Sequence, residues 1–435
     1  MEGMSLADHA HLSDFAAFVQ ASPSSYHASA EAARRLEAAG FTRLREHDAW
    51  PETPGRRFVV RDGAIIAWVQ PESATATTPF RIVGAHTDSP SFKLKPNPDT
   101  GSLGWQQAGV EVYGGPLYNS WLDRDLEFAG RLVTRDGAVH LVRTGPVLRI
   151  PQLAIHLDRG VNDGLALDPQ RHLHPIVGLT DPAGAPRRGD DILAALAGVA
   201  GVDADEVAGH DVLVADTAAP ALLGFEEEFF ASGRMDNLTS VHAGLAALIA
   251  TAEALDSASS IAVLAAFDHE EVGSASTSGA SGPFLDDVLT RITAGLGGDA
   301  SDRARAFAGS WLLSSDAGHL VHPNYPERHD PANQPVANRG PLLKINAKQR
   351  YATDGVGTAE FARACEQAGV GFQTFVSNNA MPCGSTIGPL SATRLGIRTI
   401  DVGPGLLSMH SARELIGSRD PEALSLAAAA FFAPA

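Results

Sequence analysis

Four short apolar runs, each ending in histidine or acid, limit what this 435-residue chain can fold into more than any other feature. Residues 80–85 run into His86-Thr87-Asp88, and residues 261–267 run into Asp268-His269-Glu270-Glu271. Residues 311–313 lead to Ser314-Ser315-Asp316, with His319 close behind, and residues 397–402 lead through Gly403-Pro404-Gly405 to His410. Short apolar runs of this kind suit strands buried on both faces. In open α/β sheets, ligands gather beyond the carboxyl ends of parallel strands. If the four strands are parallel, their polar ends share one edge. Asp236 joins them if the apolar pattern Leu238, Val241, Leu245, Leu248 is a helix starting beside that edge.

The pattern predicts an α/β fold: a central mixed sheet with helices on both faces, plus an inserted, mostly β domain. Residues 11–40 read as two helices broken at Ser22-Pro23, with Ser13 and Asp14 at the first start. A hairpin follows, turning at Asp62-Gly63. Between residues 96 and 230 short strand-like stretches replace the helical pattern, at 110–113, 129–134, 138–143 and 147–155, with 181–190 as an exposed loop. The expected division is therefore 1–95 and 231–435 for the catalytic domain and 96–230 for the insertion.

Composition excludes several classes. Hydrophobic residues make up 44% and charged residues 19%, as in an ordinary globular protein. A formal charge of −18 disfavours nucleic acid and anionic membranes as partners. Cys365 and Cys383 are too few for a disulfide framework or a thiolate zinc site. No uninterrupted apolar run approaches the ~18 residues of a spanning helix, and residues 1–14 lack the basic and apolar regions of an export signal. These features predict a cytoplasmic protein.

Imidazole and carboxylate without thiolate suit Zn²⁺, Co²⁺ or Mn²⁺. Two histidines and three acids can build two three-ligand sites if one carboxylate bridges, the arrangement of two-metal hydrolases. Asp88, two residues after His86, is placed to orient that imidazole. Adjacent acids are usually just solvated, as at Asp190-Asp191 or Asp286-Asp287, but Glu270-Glu271 follows an apolar run almost directly. Cys383 has no histidine at a telling spacing and reads as a packed or loop thiol.

At these residues the chain resembles the aspartyl aminopeptidase family of metallopeptidases. The resemblance runs in order through residues 84–90, 121–126, 232–238, 268–274, 314–325, 344–353, 381–389 and 409–414. It implies two divalent ions per subunit, one held by His86, Asp316 and a bridging Asp236, the other by Asp236, Glu271 and His410. It implies Glu270 as general base, and His156, His319 and Lys344 as substrate contacts in or near the metal centre, with His156 reaching a neighbouring subunit's site. It further implies peptide substrates with acidic N-terminal residues, met by Lys344 with donors at Lys348, Gln349 and Arg350 nearby. The assembly it implies is a tetrahedral homo-dodecamer built through the inserted domain. Gly405 and Leu406 stand where relatives more often carry Pro and Gln or Met, so the wall beside His410 is expected to differ. The same chemistry would also serve a carboxypeptidase or deacylase. A non-catalytic shell protein would need none of these residues.

Overall fold

The computed structural model describes residues 9–434. Residues 1–8, part of the stretch read above for the absence of an export signal, lie outside the described residues.

The four apolar runs are the centre of a nine-stranded mixed sheet. Its order is Thr42–Arg43, Gly55–Arg61, Ala64–Gln70, Ile261–Phe267, Phe80–His86, Trp311–Ser315, Arg398–Gly403, Leu342–Ile345 and Gln373–Val376. Ile261–Phe267, Phe80–His86, Trp311–Ser315 and Arg398–Gly403 are mutually parallel neighbours. Phe267 stands opposite His86, so the polar groups that follow both strands emerge at the same edge. Each of these strands is almost wholly buried because helices cover both faces. In Ile261–Phe267, Ala262, Leu264 and Ala266 face one apolar cluster while Val263, Ala265 and Phe267 face another, the period-2 alternation of a strand.

On the first face lie helices Ala10–Ala21, Ser25–Ala38, Met235–Leu255, Gly355–Ala368 and Asp420–Phe432; on the second lie Phe284–Gly295, Ala300–Ala308 and Ile387–Leu395. Met235–Leu255 is long and apolar enough to cross a membrane by length and composition, but most of it is buried in the first cluster. It approaches the sheet closely at Gly244, where a Cβ would stand 2.8 Å from Leu264 Cδ1 and 3.1 Å from Val83 Cγ1. That close approach seats the start of the helix, and with it Asp236, against the strand ends.

A six-stranded antiparallel sheet occupies the middle of the chain, in the order Val139–Arg143, Leu126–Thr134, Val207–Asp216, Ser91–Thr100, Trp105–Tyr113 and Ile176–Leu179. Helix Ile192–Ala200 packs on it, capped by the Asp191 side chain and ended by Gly201 in the left-handed region. A third sheet, Ala221–Leu223, Phe229–Ser232, Glu414–Gly417, Gly405–Leu407 and Gly318–His319, has no counterpart in the sequence reading. Its strands are two to four residues long, below what hydrophobic periodicity can register.

Two local expectations need correction. The first helix begins after His9, not at Ser13 or Asp14. Residues 147–155 do not form a strand: Leu148 and Ile150 make isolated bridges, and Pro151, without an N–H, stops the pairing. His156 therefore sits in an exposed turn, not on a strand. The strand Ser91–Thr100 crosses residue 95, while Ala221–Leu223 pairs with Phe229–Ser232, which in turn pairs with Glu414–Gly417 rather than with the middle sheet.

Candidate metal centre

The shared strand edge gathers His86, Asp236, Glu270, Glu271, Asp316 and His410. Three triplets each offer ligand atoms within 4.8 Å of one another: His86, Asp236 and Asp316; Asp236, Glu271 and His410; His86, Glu270 and Glu271. Asp236 is common to the first two, and its two oxygens face different histidines. Oδ1 lies 3.3 Å from His86 Nε2, and Oδ2 lies 3.3 Å from His410 Nε2. His86 Nε2 is also 3.7 Å from Asp316 Oδ1, and His410 Nε2 is 3.5 Å from Glu271 Oε2.

Backbone carbonyls aim both imidazoles. His86 Nδ1 is 3.0 Å from the main-chain oxygen of Asp88, and His410 Nδ1 is 3.0 Å from that of Gly115. A ring whose Nδ1–H is donated to a carbonyl keeps Nε2 unprotonated and directed into the cluster, as metal ligation requires. Asp88 thus orients His86 through its carbonyl oxygen, while its carboxylate lies 3.4 Å from the same nitrogen. The Asp88 carboxylate accepts the amides of Glu270 (3.0 Å) and Glu271 (3.1 Å) and the Tyr113 hydroxyl (2.9 Å). His269, in the left-handed region at φ 65°, makes the sharp turn that presents both glutamates after the strand.

The electrostatics call for cations. Four carboxylates crowd two imidazoles in a largely buried space, and among the described residues Asp236 Oδ1 and Glu271 Oε1 are buried without a hydrogen bond. Burial, reinforced by Asp316, pushes Glu270 up to about 8. Burial and Asp236 push Glu271 well above the ordinary carboxylate range. Burial would lower His410, but Asp236 beside it raises the imidazole to about 9. Burial would raise Asp236, yet the imidazoles of His410 and His86 hold it below its usual value. Divalent cations would relieve this excess of negative charge and satisfy both orphaned oxygens. The residues fit metal.

Residues 18–432 match the family model described as "Aminopeptidase I zinc metalloprotease (M18)". The chain belongs to the M18 peptidase family. It is 56% identical over 436 residues to a probable M18 family aminopeptidase 2 of Streptomyces coelicolor, covering 100% of both chains. It is 58% identical over 426 residues to the protein of that name in Streptomyces avermitilis, covering 98% of each. Among solved structures, it superposes with a TM-score of 0.94 on a chain of the Ape4 and Nbr1 complex, at 37% identity and with coverage of 99% of this chain and 87% of that one. The mApe1 dodecamer of S. cerevisiae matches with a TM-score of 0.83 at 29% identity, covering 96% and 95%. As a member of M18 the chain is a metallo-aminopeptidase, which sets aside the carboxypeptidase, deacylase and shell readings.

The remaining expected residues are placed unevenly. Lys344 is buried, donates at 2.7 Å to the carbonyl of Ala317, the residue after Asp316, and lies 5.4 Å from the centre of the Tyr351 ring. His319 stands exposed at the edge of the third sheet, near Phe375. Lys348, Gln349 and Arg350 lie on an exposed loop. His156 is exposed, and among the described residues no hydrogen bond or ion pair joins it to the cluster. Sequence reasoning missed Gly115, which is backbone chemistry from the middle of the chain, and Glu414, which accepts the amides of Asp236 and His410. Glu414 ends the 409–414 stretch of the resemblance, but it opens a short strand with no apolar signature and no role was assigned to it.

Proposed function

We propose that this enzyme removes N-terminal residues from peptides with two divalent ions, Zn²⁺ or else Co²⁺ or Mn²⁺, and prefers acidic N-termini. The observation that carries the two-ion reading is Asp236, whose two oxygens address two separate histidine-containing triplets. His86, Asp236 and Asp316 would hold one ion; Asp236, Glu271 and His410 would hold the other. When bound, such ions polarise the peptide carbonyl and make water nucleophilic near neutral pH.

The chain's own residues supply proton transfer and positioning. The Glu270 carboxylate, in the cluster with His86 and Glu271, makes no side-chain hydrogen bond among the described residues, and its raised pKa suits a group that takes a proton from the attacking water and returns it to the leaving amine. Lys344 supports the acidic preference: a buried ammonium on the Ala317 carbonyl would pair with a substrate carboxylate, whereas a neutral side chain would leave it uncompensated. His319 would line the same side of the site.

The middle sheet supports assembly. Most exposed large hydrophobic side chains lie between residues 103 and 199, among them Leu103, Trp105, Leu153, Ile155 and Leu157. We read this surface as the contact of a homo-oligomer, probed as a tetrahedral dodecamer, in which His156 completes a neighbour's site. Cys365 and Cys383 are unpaired, in keeping with a reducing, cytoplasmic setting.

The test is a panel of Asp-, Glu-, Leu- and Ala-initiated peptides assayed with Zn²⁺, Co²⁺ and Mn²⁺, alongside metal counting per chain. Faster cleavage of the Leu peptide than of both acidic ones overturns the preference. A single ion at full activity overturns the two-ion reading.

A further inference from the structure

Two buried carboxylates in this molecule each hold a pair of main-chain amides at the metal centre. Asp88 does so for Glu270 and Glu271. Glu414 does it across a wider gap: Oε2 accepts the Asp236 amide at 3.0 Å, and Oε1 accepts the His410 amide at 2.8 Å. They lie 178 and 4 positions from Glu414 in sequence, and Glu414 pairs with Ser232 at the start of its strand in the third sheet. Only 2% of Glu414 is exposed, so both bonds form out of water, where a hydrogen bond counts for more than it does at a surface.

The backbone around His410 needs such a hold. His410 has φ 65° and Ser408 has φ 57°, a region that costs a residue with a side chain roughly 1–2 kcal/mol. The His410 carbonyl accepts from Leu117 N at 2.9 Å, and its ring is held by Gly115. Its amide is left to Glu414. Asp236 lies just beyond Arg234, which is also left-handed at φ 59°. A single side chain therefore sets the distance between two segments that would otherwise be linked only through short strand pairings.

We propose that Glu414 is a positioning residue that fixes Asp236 and His410 at the separation needed for the ion held with Glu271. This inference rests on the two-ion reading above. Glu414 holds two of the three ligands of that ion, Asp236 and His410, but only Asp236 of the His86, Asp236 and Asp316 set, so the ion of that second set should be the less affected.

The experiment strips the assembled protein of metal and titrates it with Zn²⁺ against a chromophoric chelator, for the wild type, Glu414→Gln and Glu271→Gln. The visible spectrum of the Co²⁺ form is recorded for each. Gln replaces one carboxylate oxygen by an NH2 group, which donates and cannot accept, so one of the two amide bonds must be lost. The expected result is two equivalents in the wild type. In Glu414→Gln one equivalent should bind within threefold of wild type, and the other should weaken roughly 10–100-fold. The equivalent weakened should be the one that Glu271→Gln removes, and the Co²⁺ spectrum should change. Unchanged affinities and spectrum in folded Glu414→Gln overturn the proposal while leaving two-ion catalysis intact. Fewer than two equivalents in the wild type overturn the two-ion reading, and this proposal with it. If Glu414→Gln does not fold, Glu414→Asp, which keeps the charge and shortens the reach, is read the same way. Collapse of both variants would make Glu414 a residue of the fold rather than of the site, and also overturns the proposal.

Discussion

The edge of the nine-stranded sheet and the turn bearing His156 treat their functional histidines in opposite ways. His86 is buried, its Nδ1 held by a carbonyl and its Nε2 aimed at two carboxylates. His156 stands in solvent between exposed Ile155 and Leu157. The first region is finished within one chain, because parallel strands and amide clamps fix each group. The second exposes apolar side chains that a lone protomer has no means to cover, a pattern that marks a contact surface. On the proposed reading, the ligand cluster is built by strand ends within one chain, whereas the His156 turn would act only on association.

The largest effect expected is at the point the two triplets share. Asp236→Asn should weaken both ions and bring turnover to the level of chelator-treated enzyme, measured by metal analysis with peptide hydrolysis. Restoring metal should revive the chelated wild type but not the variant. Retention of both ions by Asp236→Asn would remove the bridging role.

Next come the adjacent glutamates. Glu270→Gln should keep its metal and lose roughly 10²–10⁴ in kcat, while Glu271→Gln should lose metal. Exchanged phenotypes would mean that the two roles are assigned backwards.

The His156 turn is then tested directly. His156→Ala should lower turnover by about 10²–10³, the usual cost of one missing donor in an active site. Mixing it with Glu270→Gln under subunit exchange should raise activity above both parents. Exchange verified by mass with no recovery would place His156 outside its neighbour's site.

A smaller effect separates assembly from metal binding. Leu153→Asp with Leu157→Asp should shift sedimentation toward smaller species, each lost apolar contact weakening association by about 10–100-fold. Metal content per chain should stay constant. Loss of metal in these variants would show that the two regions are not independent.

The smallest effect is on pH-dependent stability within the finished region. Burial lowers His242 to about 4, with Asp14 opposing it, and burial lowers His27 to about 4 as well. Unfolded imidazoles take up protons near 6.5, so between that pH and about 4 the unfolded state binds more protons and stability falls as pH falls. Each group contributes at most about 1.4 kcal/mol per pH unit, read by chemical denaturation across the range. His242→Gln should flatten the slope; an unchanged slope would show that His242 does not contribute.

Much of the centre was legible because its residues follow strong apolar runs: His86, Glu270, Glu271 and Asp316 are each within a few positions of a buried strand. Asp236 and His410 were harder, since each reaches the site through short strands of the third sheet, which have no periodic signal. Asp88 was found for the right neighbourhood but with a different division of labour, its carbonyl serving His86 and its carboxylate the two glutamate amides. Residues 147–155 were misread because an apolar stretch containing Pro151 looks like a strand until its missing donor is counted.

By itself the sequence determined the chemistry and the layer architecture of this M18 peptidase. Residue type sets which atoms can bind a cation or carry a proton, and hydrophobic period sets which elements are buried. Tertiary structure alone decided which oxygen of Asp236 faces which histidine, that Gly115 aims His410, and that Glu414 ties two distant amides together. Those contacts depend on backbone direction and on strand pairing across more than a hundred residues, and neither is written in local composition.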